Sequence, residues 1–282
     1  MRFILFYNHY KPRERVMYNS LKIGFEQFGI DVVGKDHSEF DESFEDYDMM
    51  GIFALKGIAL NVRRKCLKDN KFFFFIDKGY VRVKETKYHG ERMLYFRFSI
   101  NDFHPNSYMD MEADSDRWDS LGIEIQKYDE SVRERKKVLF AGSSQKYHDF
   151  HRLDDPTTFA KKHINRIRRV TDKKIIYRPK PTWKYFTEIP DTIHSYPKER
   201  IKDVLKQVSF VVTHGSNVCY DATLAGIPCV VIGEGVTKNI CDNEISAIPK
   251  MPTMEERYKL FCAIAYHQWS HDELRSGEAI EY

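Results

Sequence analysis

The chain lacks the features that mark several large protein classes. Its five cysteines, Cys66, Cys219, Cys229, Cys241 and Cys262, are odd in number, scattered and without a C-x-x-C pair. That excludes a disulfide framework and makes reduced, structural thiols the expectation. The longest apolar runs, such as Phe72 to Ile76, fall far short of the roughly 20 residues of a membrane span. No Cys/His cluster has zinc spacing, no metal is called for, no G-x-S-x-G elbow is present, and neither a repeat nor a low-complexity tract occurs. A large charge of either sign is also missing, since 45 Lys and Arg face 42 Asp and Glu for a net charge of +3. Met1 leads straight into the strand-like RFILFY, so no signal peptide is expected, and a soluble cytoplasmic protein with no membrane partner is the reading.

What is present is ample apolar material, 42% of 282 residues with 14% aromatics, which argues against disorder and suits two domains. The charged segment Tyr128 to Lys137, YDESVRERKK, has the composition of an interdomain connection, so domains of residues 1–136 and 137–282 are expected. Charge is unevenly distributed between them. The first 137 residues hold 24 basic and 24 acidic side chains, whereas Lys161 to Lys184 hold ten Lys or Arg and one acid, Asp172. Such a stretch points to a polyanion or to a solvated helix face.

In the first half, strands are expected at Arg2 to Tyr7, Ile30 to Val33, Met49 to Leu55 and Lys71 to Ile76, with helices between them. Ligands of such doubly wound sheets bind beyond the C-terminal strand ends, which singles out Asn8, His9, Lys56, Gly57, Asp77, Lys78, Gly79 and Tyr80. An alternating segment with Leu94, Phe96, Phe98 and Ile100 reads as a further strand ending in the polar loop Asn101-Asp102-Phe103-His104-Pro105.

The second half opens with a strand at Val138 to Ala141 running into Gly142-Ser143-Ser144. A helix from Pro156 carries Lys161, Lys162, Arg166 and Arg169 away from its apolar stripe. The strand Lys174 to Tyr177 then delivers Arg178 and Lys180 in a stiff Pro-rich turn, where they can pair with a diphosphate or be incidental. His148, His151 and their neighbouring aspartates read as an exposed polar loop. The organising stretch is Ser209 to Gly233, SFVVTHGSNVCYDATLAGIPCVVIG: a buried strand, a Gly-containing loop, a helix and a second buried strand. His214, Gly215, Ser216 and Asn217 sit where the strand opens into the helix, as an anion site or an ordinary capped turn. The tail from Met251 to Gly277 reads as helical, with Leu260, Phe261, Ile264, Ala265 and Trp269 in one stripe.

THGSNVCYDATLAGIP resembles the second-domain signature of GT-B glycosyltransferases. The resemblance implies two Rossmann-like doubly wound domains facing across a cleft, with the last helix packing back toward the first. It further implies that His214, Gly215, Ser216 and Asn217 face the donor diphosphate, that Asp221 holds the ribose, and that no cofactor beyond the nucleotide sugar is required. Arg178 and Lys180 stand where capsule-synthesis members carry Arg-Pro-His-Pro, and Glu234 borders the sugar. Asp77, at the end of the KFFFFIDKGY strand, is the candidate base, with Asp102 and His104 in reserve. General similarity to phage transferases implies a hexose moved from UDP-glucose to a hydroxymethylated pyrimidine in double-stranded DNA, in the cytoplasm of an infected bacterium, with Lys161, Lys162, Arg166, Arg169 and Lys184 on DNA phosphates. A capsule or cell-wall polysaccharide acceptor is the alternative, followed by a nucleotide-sugar epimerase and a non-catalytic binding module.

Overall fold

The computed structural model describes residues 1–81, 87–88, 91–92, 95–181, 183, 185–195 and 199–282. Leu94 and Lys184 lie outside the described residues. Buried runs of β-branched and aromatic residues form most of the strands, as both-faced burial in a parallel sheet requires. In chain order the strands of the first half are β1 (Arg2–Phe6), β2 (Asp31–Lys35), β3 (Met49–Phe53), β4 (Phe72–Lys78), the hairpin β5 (Lys87–Tyr88) and β6 (Glu91–Arg92), and β7 (Phe96–Ile100). The second half supplies β8 (Lys137–Ala141), β9 (Lys174–Arg178), β10 (Thr192–His194), β11 (Val208–Thr213), β12 (Cys229–Val231) and β13 (Gln268–Trp269).

Two compact units result. The first comprises residues Met1–Met109 and Ile264–Tyr282, and the second Asp110–Ala263. The expected boundary at residue 136 therefore differs from the observed divisions. Residues 110–136 fold with the second unit because their contacts lie there: the Gln126 N–H donates to Leu224 O, the Arg257 guanidinium donates to Gln126 O at 2.8 Å, and Trp118 stacks on Phe261.

In the first unit the sheet order is β13-β7-β4-β3-β1-β2, with β4, β3, β1 and β2 parallel and β7 and β13 antiparallel additions. Helix α1 (Pro12–Glu26) buries Met17, Leu21 and Phe25 against Phe3, Leu5 and Val32, while α2 (Ala59–Lys68) buries Val62 and Cys66. The tail is not one helix. Hydrogen bonding to β7 takes Gln268 and Trp269 into a strand, so Trp269 packs with Phe96 in the first core instead of continuing a helical stripe.

In the second unit the order β10-β9-β8-β11-β12 is parallel throughout. Written from the first strand of this unit, that is 3-2-1-4-5, the Rossmann order without its sixth strand, and every residue of β11 is buried. Helix α3 (Asp116–Ser120) precedes this sheet. The amphipathic helix α5 (Pro156–Val170) buries Phe159, Ala160, Ile164 and Ile167 over it, and Asp155 caps it through the Thr157 and Thr158 N–H groups. All five cysteines are free and buried, and no helix among the described residues is long and apolar enough to cross a membrane.

Candidate functional site

A doubly wound sheet leaves a crevice where neighbouring strands send their connections to opposite faces. In the second unit that switch lies between β8 and β11. The loops leaving those two strands, 142–144 and 214–217, meet there, with the Ser143 hydroxyl donating to Gly215 O at 3.2 Å. Gly215 is fixed from the other side as well, its N–H donating to Glu234 O at 2.6 Å, which draws in the loop after β12. Glu234 itself pairs with Lys238 at 3.3 Å. Three of the expected donor loops thus share one edge of one sheet.

Gly215 has a positive φ of 52°, and a Cβ there would lie 2.1 Å from the ring of Tyr147. Only glycine fits the turn. Ser216 is buried, its hydroxyl accepting from the Val218 N–H at 3.4 Å. Asn217 occupies the cap position of α7 (Val218–Leu224) without a side-chain cap bond, and Asp221 lies half-buried one turn on. Arg178 ends β9 at the same edge. Its guanidinium is committed, donating to the Ser195 hydroxyl at 2.5 Å and to Glu199 O at 2.7 Å, and burial lowers its pKa from the ordinary arginine value. Lys180 is half-buried two residues on.

His214 corrects the sequence reading. Its side chain is 1% exposed, packs on Phe159 at 4.2 Å between ring centroids and on Phe140, and hydrogen-bonds His148 at 2.8 Å between their Nε2 atoms. An imidazole with that environment supports the loop from beneath instead of facing a ligand. His148, expected on an exposed loop, is fully buried in α4 (Gln145–His151) for the same reason. The tautomers follow from the partners. The Asp154 carbonyl can only accept, so His148 Nδ1 carries a hydrogen, at 2.5 Å, and His148 Nε2 accepts from His214 Nε2–H. Burial lowers the pKa of both rings, His214 most strongly, which keeps the pair neutral.

The basic residues Lys161, Lys162, Arg166 and Arg169 are all exposed on α5. Arg166 and Arg169, with His163, line a groove of about 550 Å³ whose other wall includes Ile232, Asn243 and Glu244.

In the first unit Asp77 is the penultimate residue of β4, at the C-terminal edge of the parallel strands. Its carboxylate accepts from the Lys78 N–H at 2.8 Å and stands 3.7 Å from the Arg97 guanidinium. Arg97, absent from the sequence reading, is the hub of a buried network. One of its nitrogens lies 2.8 Å from the Tyr80 hydroxyl, 2.9 Å from Phe103 O and 2.9 Å from His104 Nδ1, and its planar group stacks over Phe75, Tyr80 and Phe103. An arginine only donates, so His104 accepts at Nδ1. The ring is 1% exposed and holds Tyr80 and Arg97 in place. Asp102 is displaced for a topological reason. Because β7 runs antiparallel to β4, its end lies beside the start of β4, where the Asn101 side chain accepts from Phe73 N–H. Asp102 therefore sits at the opposite end of the sheet from Asp77. Among the described residues no group of three or more His, Cys, Asp or Glu is arranged to hold a metal ion.

No protein-family model matches the chain, and no curated protein sequence matches it. Solved structures do. The KpsC β-Kdo 2,7-transferase of Thermosulfurimonas dismutans aligns with a TM-score of 0.55 and 11% identity, covering 100% of this chain and 99% of the other. The KpsC β-Kdo 2,4-transferase from the same organism aligns at 0.54 with 12% identity over 93% and 89%. The fold is GT-B-like. At such identities the likeness extends to the fold and stops there.

Proposed function

We propose that this chain is a glycosyltransferase that draws its sugar from a nucleotide-linked donor held by the second unit. The observation that carries the reading is the meeting of the 142–144 and 214–217 loops at the β8/β11 switch point, joined by the Ser143–Gly215 bond. Backbone close to a glycine, with Ser143, Ser216 and Asn217 around it, suits a diphosphate that must approach the main chain. Arg178 acts here by holding the Ser195 hydroxyl and the Glu199 carbonyl. Lys180, Asp221 and Glu234 are the side chains left to reach phosphate, ribose and sugar. Asp77 is the proposed base. Its carboxylate, 3.7 Å from the Arg97 guanidinium, would accept the proton of an acceptor hydroxyl.

The two KpsC structures named above are Kdo transferases, and we take a saccharide hydroxyl as the acceptor. The second reading, a hydroxymethylpyrimidine in duplex DNA with UDP-glucose as donor, draws on the exposed basic face of α5 and the groove beside it.

The test is thermal unfolding with UDP, CMP, GDP and ADP, each at about a hundred times its Kd, where binding to the native state adds roughly 2.7 kcal/mol. One nucleotide should raise the midpoint, and Lys180→Ala together with Asp221→Ala should abolish the rise. No rise with any nucleotide sinks the donor assignment. Transfer assays with that nucleotide's sugars then separate acceptors, because activity on hydroxymethylated duplex DNA should fall steeply with salt and activity on an oligosaccharide should not.

A further inference from the structure

The first unit has a switch point of its own, between β1 and β3, and it holds charged groups that no step above uses. In the parallel order β2-β1-β3-β4, the loops leaving β1 and β3, residues 7–11 and 54–57, border this crevice. Glu14, in the first turn of α1, is 3% exposed. One of its carboxylate oxygens accepts from the Asn8 N–H at 2.7 Å. The other lies 3.5 Å from the ammonium of Lys11 and 3.5 Å from that of Lys56. A single buried carboxylate thus holds two lysines, one from each loop, and is itself too enclosed to meet a ligand. Its charge balances one ammonium and leaves the other uncompensated.

The crevice also holds two imidazoles. His9 stacks on Tyr7, and His37 opens the turn after β2; the Nε2 atoms of both rings are buried and have no hydrogen-bond partner among the described residues. Burial, reinforced by Lys56, lowers the pKa of His37 from 6.5, so its ring is neutral at pH 7. The neighbouring acid, Asp36, is already occupied by the Ser38 N–H and hydroxyl, and Glu39 by the Asp36 N–H and Lys35. The first turn of α1 has no side-chain cap. Ala54, a non-glycine residue with φ 60°, turns the chain at the end of β3 toward Lys56, a strained conformation of the kind found at binding sites.

We infer that this crevice is an oxyanion site, in which Lys11, Lys56 and the two orphan imidazole nitrogens of His9 and His37 receive a phosphate or carboxylate group while Glu14 positions the lysines. If the transferase reading holds, the anion belongs to the acceptor saccharide; that assignment rests on the reading, whereas the site does not.

Imidazole nitrogen NMR of the full chain, titrated with glucose 1-phosphate, with glucuronate and with glucose, tests this. Saturable shifts of the His9 and His37 rings with at least one anion, and none with glucose, are expected, and the anion that acts distinguishes phosphate from carboxylate. Lys56→Met, or Lys11→Met should the first fail to fold, should weaken that binding about tenfold or more. Glu14→Gln should weaken it as well, through loss of lysine positioning. No saturable shift with either anion, equal shifts with glucose, or affinities unchanged in both lysine variants would overturn the site. UDP-induced stabilisation, measured on the same samples, reports on the second unit separately, so failure of one reading is visible without failure of the other.

Discussion

Replacing Gly215 by alanine is the sharpest test of how the second switch point is built. Two costs combine. An L-residue at φ 52° gives up about 1–2 kcal/mol relative to glycine. The new methyl would also lie 2.1 Å from two ring carbons of Tyr147, a side chain only 2% exposed and packed against His151 and His214. A ring so confined can move only by displacing its neighbours, and overpacking of this kind costs roughly 1–3 kcal/mol. The total expected for Gly215→Ala is therefore about 2–5 kcal/mol, or roughly 6–15 °C in the unfolding midpoint at about 3 °C per kcal/mol.

Calorimetry, with urea unfolding as a second measure, reads the loss. A cycle with Tyr147→Ala isolates the steric part, because removing the ring gives the methyl room while leaving the backbone cost. The double variant should be less unstable than the sum of the singles by about 1–3 kcal/mol. A loss below about 0.5 kcal/mol for Gly215→Ala, or strict additivity in the cycle, would refute the proposed contact.

Three further outcomes are expected. Burial holds His163, His267 and His271 at about 4, below their unfolded value of 6.5. Below pH 6.5 the unfolded chain takes up protons that the native rings refuse, so stability is full above pH 6.5 and falls as pH drops toward 4, by order 2 kcal/mol per ring; a flat urea midpoint across that window would contradict this. His148→Phe should cost about 2 kcal/mol or more by stranding His214 Nε2–H and the Asp154 carbonyl, and an unchanged midpoint would remove the His148–His214 pair from the account. Arg97→Met should cost about 2–4 kcal/mol, since Tyr80, Phe103 and His104 all lose their shared donor; a loss within 0.5 kcal/mol would mean that water replaces it.

The strands were legible where burial writes itself into composition, as in residues 210–212, 229–231 and 73–76. Direction was not. Alternation in residues 96–100 reads the same for a parallel or an antiparallel strand, and only the pairing with β4 moves Asp102 to the far end of the sheet. Side-chain partners distant in sequence were equally hidden. His214 looked like a ligand-facing residue because its partner His148 lies 66 positions earlier, on a segment whose aspartates disguised a buried helix face. Nor does the sequence show that Glu14 meets Lys56, which lies on another loop. Trp269 kept helical spacing from Ala265, yet hydrogen bonds to β7 decided its conformation.

The chemistry of the two switch points argues for a division of labour. At β8/β11 the lining is small, Gly142, Ser143, Ser144, Gly215 and Ser216, and of the two cations at that edge Arg178 is occupied while Lys180 is half-buried. A diphosphate, with many oxygens and little tolerance for bulky neighbours, is best met by backbone donors. At β1/β3 two ammonium groups share one carboxylate. A crevice of that kind suits a single charged group at the end of a larger molecule, which side chains can reach without enclosing. This contrast supports the proposal that the donor binds the second unit and the acceptor the first.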